Sequence, residues 1–198
     1  MLEGAPEDLL HRAGEQQQRE LVERLATSGP EGITVLARAF PESRTSRLRC
    51  YILDALRSTD DPRVAALIEA GLADRSTSTR CHAIDALLAR PGPDACRLLL
   101  PLLRDGSAAP RCRAIEAGAR LGCRSAETVA NLLQCAAHPD WRTRATAARA
   151  LGVLGIEESV ERLRALTGDA RNAVRAAAAA SLRQLRVAAG PAASREGF

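Results

Sequence analysis

One arginine-led pattern recurs five times, at Arg49, Arg80, Arg111, Arg144 and Arg175, with spacings of 31, 31, 33 and 31 residues. Behind each arginine stand small or aliphatic residues. Positions +3 and +4 hold Ile52/Leu53, Ala83/Ile84, Ala114/Ile115, Ala147/Ala148 and Ala178/Ala179, and position +7 holds Leu56, Leu87, Gly118, Leu151 and Leu182. Steps of three, four and seven place these residues on one stripe of an α-helix. A first helix is predicted ahead of each arginine helix, over about 31–40, 62–73, 93–104, 126–137 and 157–167. Pro62 and Pro93 fall near helix starts, where a missing N–H does no harm. Pro101, inside LLLPLLRD, predicts a kink.

A helix pair of this length cannot bury its apolar stripe alone, so repeated pairs stack. The expected architecture is all-α: a right-handed α-solenoid of about five two-helix repeats over residues 31–187. Residues 1–30 are expected to supply one N-terminal capping helix, running from Pro6-Glu7-Asp8 to about Thr27 after a frayed start. Its EQQQRE stretch is polar, as suits the outer face of a terminal cap. Residues 188–198, with Gly190-Pro191 and Gly197, are expected to form a flexible tail.

Composition narrows the choices. Aromatics are 2% of the chain, so the core must be built from Ala, Leu, Val and Ile. Small side chains let helices approach closely. All 28 basic residues are arginine, which reads first as base-composition bias. The charge is uneven: residues 1–99 hold 13 Arg against 15 acids, a net of −2, and residues 100–198 hold 15 against 9, a net of +6. That asymmetry is too mild to demand a nucleic-acid partner. The six cysteines, Cys50, Cys81, Cys96, Cys112, Cys123 and Cys135, include no C-x-x-C pair. The start MLEGAPEDLL has neither the basic nor the apolar region of a secretory signal, and no apolar run approaches the roughly 18 residues that span a bilayer. A cytoplasmic setting with mostly free thiols is expected.

The arginine lies on the apolar side of its helix, so its guanidinium needs partners. An acid stands six residues earlier in three units, at Asp74, Asp105 and Asp169; before Arg144 that position is His138, with Asp140 two residues later. Asp–Arg pairing at the helix starts is expected, within or between neighbouring units, in a structural role. Cys50, Cys81 and Cys112 share position +1, which Ala145 and Ala176 fill later. The position asks for something small, and thiols on stacked helices about 8–10 Å apart cannot share a zinc ion that needs metal–sulfur distances near 2.3 Å. No metal and no cofactor are expected.

Val174-Arg175 with Ala178-Ala179, and Arg144 with Ala147-Ala148 and Ala150-Leu151-Gly152, resemble the second-helix pattern of the HEAT-repeat family, D-x-x-x-x-V-R-x-x-A-A-x-A-L-G-x-L-G. The short units are similar to the bacterial HEAT-like subtype found also in phycobilin lyases (PBS-lyase-type repeats). The resemblance covers about residues 31–187 and is closest in the last two units. It implies that the second helices line a concave surface.

With about 100° per residue, positions −2, +2, +5 and +9 fall opposite the buried stripe. They name Arg47, Tyr51, Asp54, His82, Asp85, Arg113, Glu116, Arg120, Arg142, Thr146 and Arg149 as candidate partner-binding residues. Ser78, Ala173, Ala177, Ala180 and Gln184 share the face. The face runs from acidic and aromatic to basic to bland, and Arg and Tyr are types enriched in binding hot spots. The leading reading is a non-catalytic scaffold or adaptor holding a protein partner in the concave groove; the resemblance also allows an immunity protein that plugs a toxin. The alternatives are nucleic-acid binding, as in the HEAT-like DNA glycosylases, and tetrapyrrole handling, as in the phycobilin lyases. Acids at 54, 85 and 116 interrupt the basic stripe, and aromatics for base stacking are scarce. Tyr51/Asp54 and His82/Asp85 could share helix faces, but no nucleophile is fixed beside them by sequence, so no catalytic residue is expected.

Overall fold

The computed structural model describes residues 6–188, which are helical, with no strand among them. The expected flexible tail at 189–198 and the frayed start at 1–5 lie outside the described residues. The chain divides into two compact units, Met1–Leu98 and Leu99–Phe198.

The first unit holds α1 (Pro6–Arg12), α2 (Glu15–Thr27), α3 (Pro30–Glu42), α4 (Ser46–Leu56), α5 (Pro62–Leu72) and α6 (Thr77–Ala89), and ends in α7 (Ala95–Leu99). Helices α2, α4 and α6 pack side by side, and α1, α3 and α5 form the companion row. The second unit begins with a 3-10 turn at Pro101–Arg104, followed by α8 (Ala108–Arg120), α9 (Ala126–Cys135) and α10 (Trp141–Val153). A second 3-10 turn, Glu157–Ser159, leads into α11 (Val160–Leu166) and α12 (Asn172–Ala188). Here α8, α10 and α12 form the row of arginine-bearing helices. The stacked helix pairs expected from the repeat are present throughout.

Two expectations need correction. The N-terminal segment is not one helix: it breaks at Ala13-Gly14 into α1 and α2. Gly14 is extended, and its N–H donates to the Gln17 side chain at 3.3 Å, closing a new helix start. Gln18 Nε2 donates to the open carbonyl of Leu10 at 2.9 Å, which ties the two pieces together. The segment is thus itself a helix pair. In the third repeat Pro101 does more than kink the first helix. It ends α7, because its ring cannot supply an N–H or clear the preceding turn, and the chain continues as a 3-10 turn.

The apolar stripe is the core. Ile52, Ala83, Ile84, Ala114, Ile115, Ala147, Ala148, Leu151 and Ala178 are fully covered. Burying each Ile or Leu contributes about 1.5–3 kcal/mol. Ala179 and Leu182 are only half-buried, since among the described residues no further helix follows α12. The turns after α8 and α10 are closed by Gly122 and Gly155, at φ 72° and 65°. Cys123 N–H reaches Gly118 O at 2.9 Å and Ile156 N–H reaches Leu151 O at 3.1 Å, so both turns form the paired bonds of a Schellman end that needs a left-handed residue.

Every anchor arginine does the same job. Its Nη1 donates to the backbone carbonyl six residues earlier: Arg49 to Ser43 (2.6 Å), Arg80 to Asp74 (2.8 Å), Arg111 to Asp105, Arg144 to His138 (2.8 Å) and Arg175 to Asp169 (2.9 Å). The bond ties the arginine helix to the turn that leads into it. The acids at that turn face the other way. Asp74 pairs with Arg49, with Nε 2.7 Å from Oδ2 but off the line of a hydrogen bond, and Nη2 donating to Oδ1 at 3.2 Å. Asp169 takes both Nε and Nη2 of Arg144, at 2.7 and 3.0 Å. The Arg144 guanidinium therefore holds the Asp169 carboxyl below its usual range. Each carboxylate also accepts the N–H two residues on, Ser76 at 2.7 Å and Arg171 at 2.8 Å. Arg111 reaches the substitute acid through a hydroxyl: Nε donates to Thr143 Oγ1 (3.0 Å), and Thr143 donates to Asp140 Oδ2 (2.8 Å). Asp–Arg pairing thus joins each repeat to the next within both units.

Small residues set how close neighbouring helices come, between the arginine helices α10 and α12 and between α5 and α6. A Cβ on Gly152 would stand 2.8 Å from Ser181 Cα, and one on Gly71 would stand 2.9 Å from Ala83 Cβ. The Ser181 hydroxyl donates to Ala148 O at 2.8 Å, which satisfies it at this contact.

Gly152→Ala should lower stability by about 1–3 kcal/mol in urea unfolding, because α10 and α12 would have to separate. Asp74→Ala leaves the Arg49 guanidinium, 6% exposed, without its carboxylate; urea unfolding should show a loss of about 3 kcal/mol, and Asp74→Glu should recover part of it.

Candidate functional site

The arginine helices turn their second faces outward, and these carry the predicted residues. In the first unit α2, α4 and α6 enclose a cleft of about 500 Å³ lined by Tyr51, Asp54, His82 and Asp85, with Arg19, Val22 and Glu23 from α2 and with Ala55 and Arg57. Four of the predicted residues are therefore brought together. Tyr51 and Asp54 are one turn apart on α4, and His82 and Asp85 are one turn apart on α6. His82 Nδ1 lies 2.8 Å from Asp54 Oδ1, joining the two helices. Two other clefts of this unit, one around Arg12 and Arg44 and one around Ile68 and Arg90, hold none of the predicted residues.

Arg47 stands beside the cleft, its Nη1 2.7 Å from Glu15 Oε2, and the Tyr51 hydroxyl donates to Glu15 Oε1 at 3.2 Å. Burial and the Glu15 carboxylate hold the Tyr51 phenol above its ordinary value. The hydrogen bond to Asp54, followed by one to Cys50, pushes His82 up to about 10 against the cost of burial. His82 is therefore a cation at neutral pH and not a free base. Cys50 is pushed up by burial, but hydrogen bonding with His82, Ser78 and Thr79 outweighs that and brings the thiol below its ordinary value.

In the second unit Arg113, Glu116 and Arg120 lie exposed on α8, and Arg142 and Arg149 lie exposed on α10. Arg149 Nη2 is 3.7 Å from Glu116 Oε1, a bridge between neighbouring helices. Arg142 stacks over the Trp141 ring, 4.9 Å from its centroid, which holds the guanidinium in place by a cation–π contact. Thr146 departs from expectation: it is 3% exposed, and its hydroxyl accepts from Arg149 Nη2 at 3.1 Å. Ala177, expected on the same outer face, is 7% exposed. Both are covered because the Gly152–Ser181 contact draws α12 so close to α10. Thr146 acts as a support for Arg149.

The residues that sequence reasoning missed are Glu15, Arg19 and Glu23. Reading α2 as the far part of a single cap left them off the row of second helices. The break at Ala13-Gly14 was the available signal, since it makes α2 a second helix in the same register as α4. The contact between Cys50 and His82 was missed for another reason: position +1 on one helix and +2 on the next meet only once the offset of the stack is known. Among the described residues no group of three or more His, Cys, Asp or Glu could hold a metal ion, and no helix is long and apolar enough to cross a membrane.

Residues 97–183 match the family model for HEAT repeats. No curated protein matches the sequence. Among solved structures, an engineered protein is similar at TM-score 0.58 and 19% identity, over 91% of this chain and 94% of that one. A designed armadillo repeat protein in complex with the peptide (KR)4 is similar at TM-score 0.60 and 14% identity, over 91% and 98%. Human deoxyhypusine hydroxylase in complex with glycerol is similar at TM-score 0.52 and 18% identity, over 91% and 83%. These likenesses carry the fold alone. The HEAT-repeat match is thus carried by residues 97–183, and the likeness to solved repeat structures extends the same helical-repeat fold over about nine-tenths of the chain.

Proposed function

We propose that the chain is a non-catalytic scaffold that holds a protein segment on the outward faces of its arginine helices. The observation that carries this reading is the division of labour among the arginines. The five anchors are spent on backbone carbonyls and aspartates, while Arg120, Arg142 and Arg149 stay exposed on one row of helices. Arginines held by a stacked indole or a bridging glutamate lose little side-chain freedom on binding, which favours them as contact points. The row also includes Arg113 and a single acid, Glu116, so it suits an acidic segment. The cleft of the first unit, with Tyr51 bonded to Glu15 and lined by Asp54, by itself suits a segment of mixed charge. The peptide complex of the designed armadillo repeat protein is consistent with this mode of use for the fold. An immunity or antitoxin role would use the same faces.

Fluorescence anisotropy with an acidic peptide, a (KR)4 peptide and a short DNA duplex tests the proposal at about 50 and 200 mM salt. The acidic peptide should bind, and Arg149→Glu should weaken it about tenfold without moving the melting temperature. Tyr51→Ala should weaken a peptide that carries both charges. Duplex DNA as the tightest ligand, with a steep salt dependence, would replace this reading with nucleic-acid binding. Binding of the acidic peptide that is indifferent to Arg142→Glu and Arg149→Glu would remove the arginine row from the proposal.

A further inference from the structure

Helix α12 is the last of its row among the described residues, and the side on which the repeat would set a following helix is built like a covered one. On α10 that side carries Arg144, Ala148 and Gly152, with Leu151 beside them. Arg144 takes Asp169, Ala148 O accepts from Ser181, and a Cβ on Gly152 would strike Ser181. The equivalent residues of α12 are Arg175, Ala179, Arg183 and Leu182. Arg175 spends Nη1 on Asp169 O and Ala170 O, at 2.9 and 3.1 Å, and its Nε and Nη2 meet no acceptor among the described residues. Those are the two atoms that Arg49 and Arg144 turn to the aspartate of the following repeat. Ala179 and Leu182 are half-buried, where Ala148 and Leu151 are fully covered. The end of a helical stack needs a polar outer face to stay in solution. Helix α2 has one in EQQQRE, whereas α12 sets alanine and leucine between arginines and has no acid from Asn172 to Ala188.

We propose that this side of α12 docks an acidic helix of a partner protein, in the way that α12 docks on α10. An aspartate in the turn ahead of that helix takes Nε and Nη2 of Arg175, a bidentate match between a planar fork and a carboxylate. Small apolar residues of the helix cover Ala179 and Leu182. An acid near its middle meets Arg183, which stands where α10 has Gly152, so that contact at this level is one of charge and not of backbone approach. Arg57 holds the same position on α4, and there Asp85 of α6 lines the same cleft. A second copy stacked in the same register is the poorer occupant. Counting 31 residues back from Arg49 reaches Gln18, and six residues before it stands Arg12, so the turn into α2 offers a cation where Asp74 and Asp169 stand. The surface is separate from the row of Arg142 and Arg149, and it does not depend on what that row binds.

The probe is an acetylated peptide with the sequence of residues 169–186, the segment that α10 itself binds. It carries Ala180→Asp to supply the middle acid, and Arg175→Gln, Arg183→Gln and Arg186→Gln to remove its own outer cations. Titrated into the whole chain and followed by NMR, it should shift the methyl groups of Ala176, Ala179 and Leu182 and bind with Kd below about 1 mM. Asp169→Asn in the peptide should weaken binding about tenfold, and so should Arg175→Gln in the protein. Made together, the two should cost little more than either alone, the sign of a direct pair. Arg183→Ser in the protein touches none of the contacts that hold the fold and should weaken the peptide about threefold; with the peptide's Asp169→Asn it decides the matter if Arg175→Gln does not fold. Shifts confined to α8 and α10, no shift at about 1 mM peptide, or equal binding of the peptide with Asp169→Asn would each overturn the proposal. Dimers in sedimentation equilibrium that Arg183→Glu dissolves would give the surface to a second copy. Binding about tenfold tighter after removal of residues 189–198 would give it to that segment. Either result would replace the partner helix.

Discussion

The bond from each anchor guanidinium to the carbonyl six residues earlier is the contact on which the rest of the structure depends. A helix pair needs its turn held at a fixed angle before its apolar stripe can face the next pair. Arginine supplies this because its planar group presents several donors at once. One edge takes the turn carbonyl of its own repeat, and the other is left for an aspartate from the next, as Arg49 and Arg144 show. A lysine ammonium has no such fixed fork, so the absence of lysine from the chain costs these sites nothing. The carboxylate is used twice as well, since it also accepts an N–H at the start of the following helix. At Arg144 and Asp169 the guanidinium, turn carbonyl, carboxylate and helix-start N–H are satisfied by one another.

On that frame, spacing is set by what is missing from the side chains. Gly152 lets α10 and α12 approach nearly backbone to backbone, and Gly71 lets α5 close onto Ala83 of α6. A tight stack transmits position accurately. Where it is tightest, between α10 and α12, it covers Thr146 and leaves Arg149 propped on it. Between α2, α4 and α6 a cleft gathers Tyr51, Asp54, His82 and Asp85.

Much of this was legible in the sequence. Helix periodicity is a local property, so the repeat of Arg49, Arg80, Arg111, Arg144 and Arg175 announced the arginine helices, and the displaced acids announced their ion pairs. The outward faces followed from geometry within one helix. What was not legible depends on how two helices meet. Thr146 lies at the correct angle to be exposed, and only the glycine on its own helix and the serine on the next decide otherwise. Cys50 and His82 occupy different positions of the repeat, so no comparison of equivalent positions would pair them. The split of the first segment into α1 and α2 turned on one glycine and one glutamine, Gly14 and Gln17, whose capping is weak enough to be outvoted by the helical pattern around it.

The ion pairs cross from one helix pair to the next, and this separates two ways of cutting the chain into modules. By shape, a repeat begins with its first helix and ends with its arginine helix. By charge, the self-contained piece runs from Arg49 to Asp74, or from Arg144 to Asp169, beginning halfway through one helix pair and ending halfway through the next. Anyone transplanting, deleting or duplicating a repeat along the visible helix boundaries would part each arginine from its aspartate. A graft cut in the arginine helix, ahead of the anchor, would carry both, and its seams would fall inside continuous helix.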